Sequence, residues 1–184
     1  MEKEIIACLD GSSRAEAILP LAQGIVASMD ATLSLLRIVA DADDLPAEEI
    51  YMREQARLYG AEIRLIVAPN PATGIVEELR QSPGAMVAMT THGRTAWMEA
   101  IVGGVALKVV RDANRPVLLY RPVATTSDTP RRIETSIVAL DGSEFSERIL
   151  PFVVDFAKSI EAKLMLVHAV RNVLENPISG APQT

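Results

Sequence analysis

Three short stretches of this 184-residue chain carry groups able to grip a charged small molecule. Asp10-Gly11-Ser12 follows the apolar run Ile5–Leu9, and Thr90-Thr91-His92-Gly93-Arg94 follows the apolar run Ala85–Met89. Gly103-Gly104 comes just before Val105, Ala106, Val109, Val110 and Ala113, which recur at helical spacing. The first amides of a helix have no partner within it and lie at the positive end of its dipole. A helix that opens on two glycines is therefore an anion seat that a ligand can approach closely. Arg94 is either a further donor to that anion or a solvated loop charge. Asp10 is either a ligand contact or a turn residue capping the next helix, since Asp-Gly-Ser is common turn chemistry. His92 has no carboxylate or nucleophile beside it in sequence, so no catalytic residue is assigned. Trp97 and Met98 read as local packing of the loop rather than as a lid or partner surface.

The elements that must hold these groups alternate between strand and helix. Ile5–Leu9 is a short continuous apolar run, as in a strand covered on both faces of a parallel sheet. Ser13 and Glu16 form a capping-box pattern, and Ile18, Ala22, Ile25 and Met29 extend it into a helix over 13–29, kinked at Pro20. Strand Thr32–Val39 follows, then a helix of about 47–59 with Pro46 in its first turn and Gly60 as terminator. A strand at Ile63, Leu65 and Val67, a helix opened by Pro71, strand Ala85–Met89, the glycine-led helix and strand Val117–Tyr120 complete the unit. Five strands and four helices in alternation predict an α/β fold, an open, doubly wound parallel sheet with helices on both faces. In such sheets ligands bind beyond the carboxyl ends of the strands where strand order reverses. That places Asp10, the Ile38-Val39 region and Thr90–Arg94 together.

The pattern then restarts. A shift of 131 positions aligns Ile6, Leu9, Asp10, Gly11, Ser12, Glu16, Ile18, Leu19 and Pro20 with identical residues, and also Ser28, Ala31, Leu33, Leu35 and Val39. The expected organisation is a complete domain over 1–122, a linker rich in Pro, Ser and Thr over 123–135, and a partial β-α-β repeat over 136–184. Asp141 repeats Asp10 but has no glycine loop after it, so binding is expected within residues 5–110, and His168 is read as structural. Half a doubly wound sheet should not stand alone. It packs on the first domain or on another chain, or the natural protein continues past Thr184.

Composition narrows the function. A net charge of −6 disfavours a broad nucleic-acid face, which needs a basic surface. The start, Met1-Glu2-Lys3-Glu4, lacks a signal-peptide pattern, and no run approaches the ~20 apolar residues of a membrane helix, so a cytoplasmic protein with no membrane partner is expected. The single cysteine, Cys8, excludes an intrachain disulfide and a multi-cysteine metal site. No Gly-x-x-x-x-Gly-Lys-Ser/Thr loop, no Gly-x-Gly-x-x-Gly after a strand and no His-Glu-x-x-His is present, and no metal ligand set is assigned.

The segments DGSSRAEAILPLA (from Asp10) and THGRTAWMEAIVGGVALKVVRDANRPVLLYRP (from Thr91) resemble the universal stress protein family, over residues 4–122 and again over 136–170. That family's signature is a glycine, two residues, a glycine, nine residues, and a glycine followed by serine or threonine. Gly93 and Gly103 match the frame, whereas Thr90 replaces the first glycine and Gly104 the serine or threonine. The resemblance implies a Rossmann-like fold of the adenine nucleotide alpha hydrolase type, with strand order 3-2-1-4-5. It further implies ATP as ligand, with Mg alongside, in a regulatory or stress-response protein without required turnover. Asp10 would contact the ribose, the main chain at Ile38 the adenine, and the backbones of Thr90–Gly93 and Gly103–Val105 the phosphates, with Gly11, Ser12, Met89 and Arg94 beside them and His92 within the loop. Losing the hydroxyl at 104 removes one hydrogen bond to a charged group, about 1.5–3 kcal/mol, or ten- to a hundredfold in affinity. Two other readings stay open: an interaction module of the same fold that no longer binds nucleotide, and a slow ATPase. The last strand, Val117–Arg121, is an edge, and exposed edges invite pairing, so a homodimer through it is expected.

Overall fold

Five apolar stretches become five parallel strands: β1 (Glu4–Leu9), β2 (Thr32–Val39), β3 (Glu62–Val67), β4 (Ala85–Thr90) and β5 (Val117–Tyr120), in the order β3-β2-β1-β4-β5. The computed structural model of the chain describes residues 3–91, 103–122 and 130–169. Five helices connect the strands: α1 (Ser13–Glu16), α2 (Leu19–Met29), α3 (Leu45–Tyr59), α4 (Pro71–Gln81) and α5 (Gly104–Asp112). One face of the sheet, with Ile6, Cys8, Leu36 and Val87, is covered by Ile75, Val76 and Leu79 of α4 and by Ala106 and Val109 of α5. Ile18, Leu19, Ala22 and Ile25 before and within α2, and Met52 of α3, are buried as well. β1 and β4 are buried along almost their whole length, as the unbroken apolar runs predict. The α/β architecture and strand order agree with the sequence reading.

Its first helix does not. The segment 13–29 is two helices, and Pro20 sits in the first turn of α2 rather than at a kink in one long helix. Proline has no N–H to donate to the carbonyl of residue 16, so the first helix stops at Glu16 and a new one starts where proline is tolerated. The cap also moves by one residue. Ser12, not Ser13, is the N-cap, its Oγ accepting from Ala15 N at 3.2 Å. Gly11, at φ 76°, turns the chain so that Asp10 Oδ1 accepts from Ser12 N at 3.0 Å and from Ser12 Oγ at 2.5 Å. The third helix begins at Leu45, after a 3-10 turn over Ala42–Asp44, and ends on Gly60 in the left-handed region.

The chain divides into two compact units, Met1–Ile133 and Glu134–Thr184. The second contains β6 (Thr135–Leu140), α6 (Glu144–Glu147), α7 (Leu150–Ser159) and β7 (Lys163–His168), with β6 and β7 parallel. It repeats the broken helix and its cap: Ser143 Oγ accepts from Ser146 N, and Asp141 Oδ1 accepts from Ser143 N and Oγ. Those bonds, the Ser143 hydroxyl first, hold the Asp141 carboxyl down at about 2. Gly142 lies against His168, whose Cε1 would stand 2.7 Å from a Cβ placed there, so His168 packs on the turn.

Candidate functional site

The sheet order makes β1 the strand where the connections reverse direction, with β2 on one side and β4 on the other, and a crevice opens beyond their carboxyl ends. A cavity of about 310 Å³ occupies it. Asp10, Ile38, Met89, Thr90, Gly103, Gly104 and Val105, all named from sequence, line it together. Gly11 and Ser12 are not in the wall but form the turn that orients Asp10. His92, Gly93, Arg94, Trp97 and Met98 lie outside the described residues.

Each wall follows from the local fold. Ile38 is the last residue but one of β2, and α4 presses on it at Gly74, where a Cβ would come 3.0 Å from Ile38 Cδ1. Gly103 is the N-cap of α5 with no side-chain capping bond, and its own N–H donates to Thr91 O at 2.6 Å. Thr91 N in turn donates to Tyr120 O at 2.9 Å. The backbone donors that this end of α5 offers are thus the first amides after Gly103. Among the described residues a Cβ on Gly104 would meet nothing within 4 Å, and Gly104 is part of the cavity wall.

Residues that the sequence reading missed complete the walls: Cys8 and Leu36 from the strands, Pro71 and Ile75 from α4, and Arg37. Pro71 and Ile75 lie in the first turns of α4, which begins shortly after β3 ends at Val67, and that place beyond a strand end was the available signal. Arg37 gives no such signal, because its partner comes from α3. Its Nε donates to Glu48 Oε2 at 2.8 Å and its Nη2 to Glu48 Oε1 at 2.5 Å, a two-pronged pair that fixes α3 against the end of β2. Tyr51 of α3 donates its hydroxyl to Glu16 Oε1 at 2.8 Å and ties α3 to α1. Burial first, then Glu16, raises the Tyr51 hydroxyl above its usual range. The cavity therefore has apolar flanks at Ile38, Ile75 and Met89, a carboxylate at Asp10 and backbone donors at α5. Such a lining suits a flat apolar ring joined to a sugar and an anion.

Burial pushes the Cys8 thiol from 9.0 up to about 12. A raised folded-state value favours the protonated form, so this contribution to stability is whole below pH 9.0 and is lost as pH rises toward 12. Tyr51 acts in the same direction. Unfolding free energy should fall above pH 9 by about 1.4 kcal/mol per pH unit for each proton involved. Urea titrations at pH 8, 9 and 10 should show a shallower fall for Cys8→Ala. Equal slopes for the two proteins would rule out Cys8 as a source.

Comparison with known proteins bears on the same region. A family model described as the universal stress protein family matches residues 1–121. No curated protein matches. Among solved structures, a universal stress protein in complex with cAMP is 21% identical, with a TM-score of 0.53, covering 65% of this chain and 96% of its own. A universal stress protein from Archaeoglobus fulgidus in complex with dAMP is also 21% identical, at 0.51, covering 65% and 97%. Another from Archaeoglobus fulgidus DSM 4304 is 18% identical, at 0.68, covering 92% of this chain and 68% of that one. These likenesses show a shared fold.

Proposed function

Because the chain belongs to the universal stress protein family, we propose that its first unit binds an adenine nucleotide, ATP in particular, as a regulatory protein in the stress response that does not depend on turnover. The observation that carries this reading is a cavity at the strand-order reversal that gathers Asp10, Ile38, Thr90 and the start of α5. The cAMP and dAMP complexes of proteins with this fold support an adenine nucleotide there. At about 310 Å³ the cavity is at the small end of ligand pockets, which run to about 1,000 Å³, so it suits base and ribose, with phosphates leaving along α5. Adenine would lie against Ile38, Ile75 and Met89, the ribose hydroxyls would donate to Asp10, and the amides after Gly103 would donate to phosphate. Mg would accompany a triphosphate and neutralise part of its charge.

Denaturing freshly purified protein and identifying what it releases by mass spectrometry tests the ligand. An adenine nucleotide near one per chain is expected, and an empty site together with no ATP binding by calorimetry would favour the interaction module. Asp10→Asn keeps an oxygen able to accept from Ser12 and removes the charge. It should weaken ATP about tenfold, one hydrogen bond to a charged group, with little change in thermal midpoint. An affinity within twofold of the parent would remove Asp10 from the site.

The same proposal includes a homodimer through β5, which is the edge strand of this sheet among the described residues. No helix of the described residues is long and apolar enough to cross a membrane. Light scattering that returns a strict monomer at high concentration would sink the dimer.

A further inference from the structure

After β5 the chain comes back to α2. At Arg131 its N–H donates to Pro20 O at 3.0 Å, and its guanidinium donates from Nη1 to the Tyr120 hydroxyl at 2.8 Å and lies 5.7 Å from the Tyr120 ring centroid. The backbone of Arg131 also crosses α2 at Gly24: a Cβ there would fall 1.9 Å from Arg131 O and 2.8 Å from Arg131 C. A glycine inside a helix costs about 1 kcal/mol relative to alanine, so its presence mid-α2 calls for a reason, and the crossing backbone is one. In the repeat the same position is Asp155, with a side chain that no such crossing would admit. The stretch read as a spacer therefore has a built receptor of three parts: a carbonyl, a glycine notch and a tyrosine.

Tyr120 belongs to the receptor and is hydrogen-bonded to a residue of the cavity wall. Its carbonyl accepts from Thr91 N, and Thr91 O accepts from Gly103 N, with Thr91 and Gly103 both in the cavity wall. We propose that the segment at Arg131 is a latch, docked on α2 and Tyr120, whose docking and nucleotide binding in the cavity reinforce each other. This rests on the nucleotide reading given above. A ligand that grips the Thr91–Gly103 edge holds Tyr120 in the position that receives Arg131. By linkage, undocking must weaken the ligand by the same factor as the ligand strengthens docking.

Trypsin reads the latch in the full chain. Arg115 and Arg121 are each followed by proline, which blocks cleavage, whereas Arg131 and Arg132 are not. Cleavage after Arg131 and Arg132 at limiting protease follows the undocked population. Saturating ATP is expected to slow it about fivefold or more, and Gly24→Ala to speed it while weakening ATP, measured by calorimetry, by about fivefold or more. Should Gly24→Ala not fold, Tyr120→Phe removes only the hydroxyl that receives Arg131 and should move both readouts the same way. ATP that binds the parent yet leaves cleavage unchanged would overturn the coupling, as would a variant that is cut faster with affinity within twofold. A parent that binds no ATP at all overturns the nucleotide reading and the coupling with it, and calorimetry alone tells that outcome from the other two.

Discussion

Arg64→Met is expected to lower the unfolding free energy by about 2–4 kcal/mol, the largest stability loss foreseen for a single polar side chain of the first unit. Arg64 of β3 donates from Nη2 to Glu4 Oε1 of β1 at 2.5 Å, and from Nη1 to Glu78 Oε1 of α4 at 2.6 Å and Ser82 Oγ at 3.0 Å. Ser34 of β2, 1% exposed, donates its hydroxyl to the same Glu4 oxygen at 2.5 Å. One guanidinium thus joins two strands and a helix, and Glu4 brings in a third strand through Ser34. Its side chain is 25% exposed and the two carboxylates 15% each, so water screens the cluster in part, and the lower end of the range is the better guide. Methionine would fill the stem's volume and leave two carboxylates close together with no cation between them. Removing one of those charges should return part of the loss: Arg64→Met with Glu78→Gln is expected to regain about 1 kcal/mol in urea unfolding. The exposed pair Arg53–Glu49, with side chains 70% and 44% exposed, is the contrast, and Arg53→Met should cost under about 0.5 kcal/mol. Equal losses at the two sites would refute the special place given to Arg64. Glu4 and Ser34 pair at the amino-terminal ends of the strands, away from the cavity, so nucleotide affinity should survive the change.

The five strands and the gathering of Asp10, Ile38 and Thr90 were legible because apolar runs mark strands, and ligand positions in a parallel sheet follow from where those runs end, whereas the strand order was implied only by the family resemblance. The Asp-Gly-Ser turn was legible as turn chemistry, while its register was not. Ser12 and Ser13 are both able caps, and the choice between them depends on the φ of 76° that Gly11 adopts. Arg37–Glu48 and the Arg64 cluster join residues from separate elements, so no local spacing announces them. The glycine notch at Gly24 is of the same kind: in sequence it is only a flaw in a helix, and the residue that explains it stands at position 131. The repeat misleads in one further respect. Identical types need not share an environment: Ile6 is fully buried beneath α4 and α5, while its counterpart Ile137 is 67% exposed in a unit whose described elements are β6, α6, α7 and β7.

Gly104→Ser carries the largest expected gain, a rise in ATP affinity of about ten- to a hundredfold. The position is the first residue of α5, where the chain has just left the N-cap Gly103, and the next residues, Val105 and Ala106, line the cavity with it. With nothing among the described residues within 4 Å of a Cβ there, serine enters without moving one of them, and its hydroxyl would add one donor to the α5 amides proposed to receive phosphate. A hydrogen bond to a charged phosphate contributes about 1.5–3 kcal/mol, and that range sets the expected factor. Gly104→Ala separates this from a gain in helix stability: alanine raises the propensity of the first turn without supplying a donor, so it should lift the thermal midpoint slightly and leave affinity within twofold. Thr90→Gly, the other change toward the family pattern, is unequal to it. Thr90 is buried at the end of β4, in register with Tyr120, and glycine there removes a packed β-branched side chain at a cost of about 1–2 kcal/mol of fold stability. The two departures from the family signature therefore differ in kind, Thr90 being built into the sheet and Gly104 a missing donor at an open position. Calorimetry with ATP on Gly104→Ser and Gly104→Ala decides it: a rise in affinity shared by both variants, or by neither, would show that the phosphates of the ligand do not reach the start of α5.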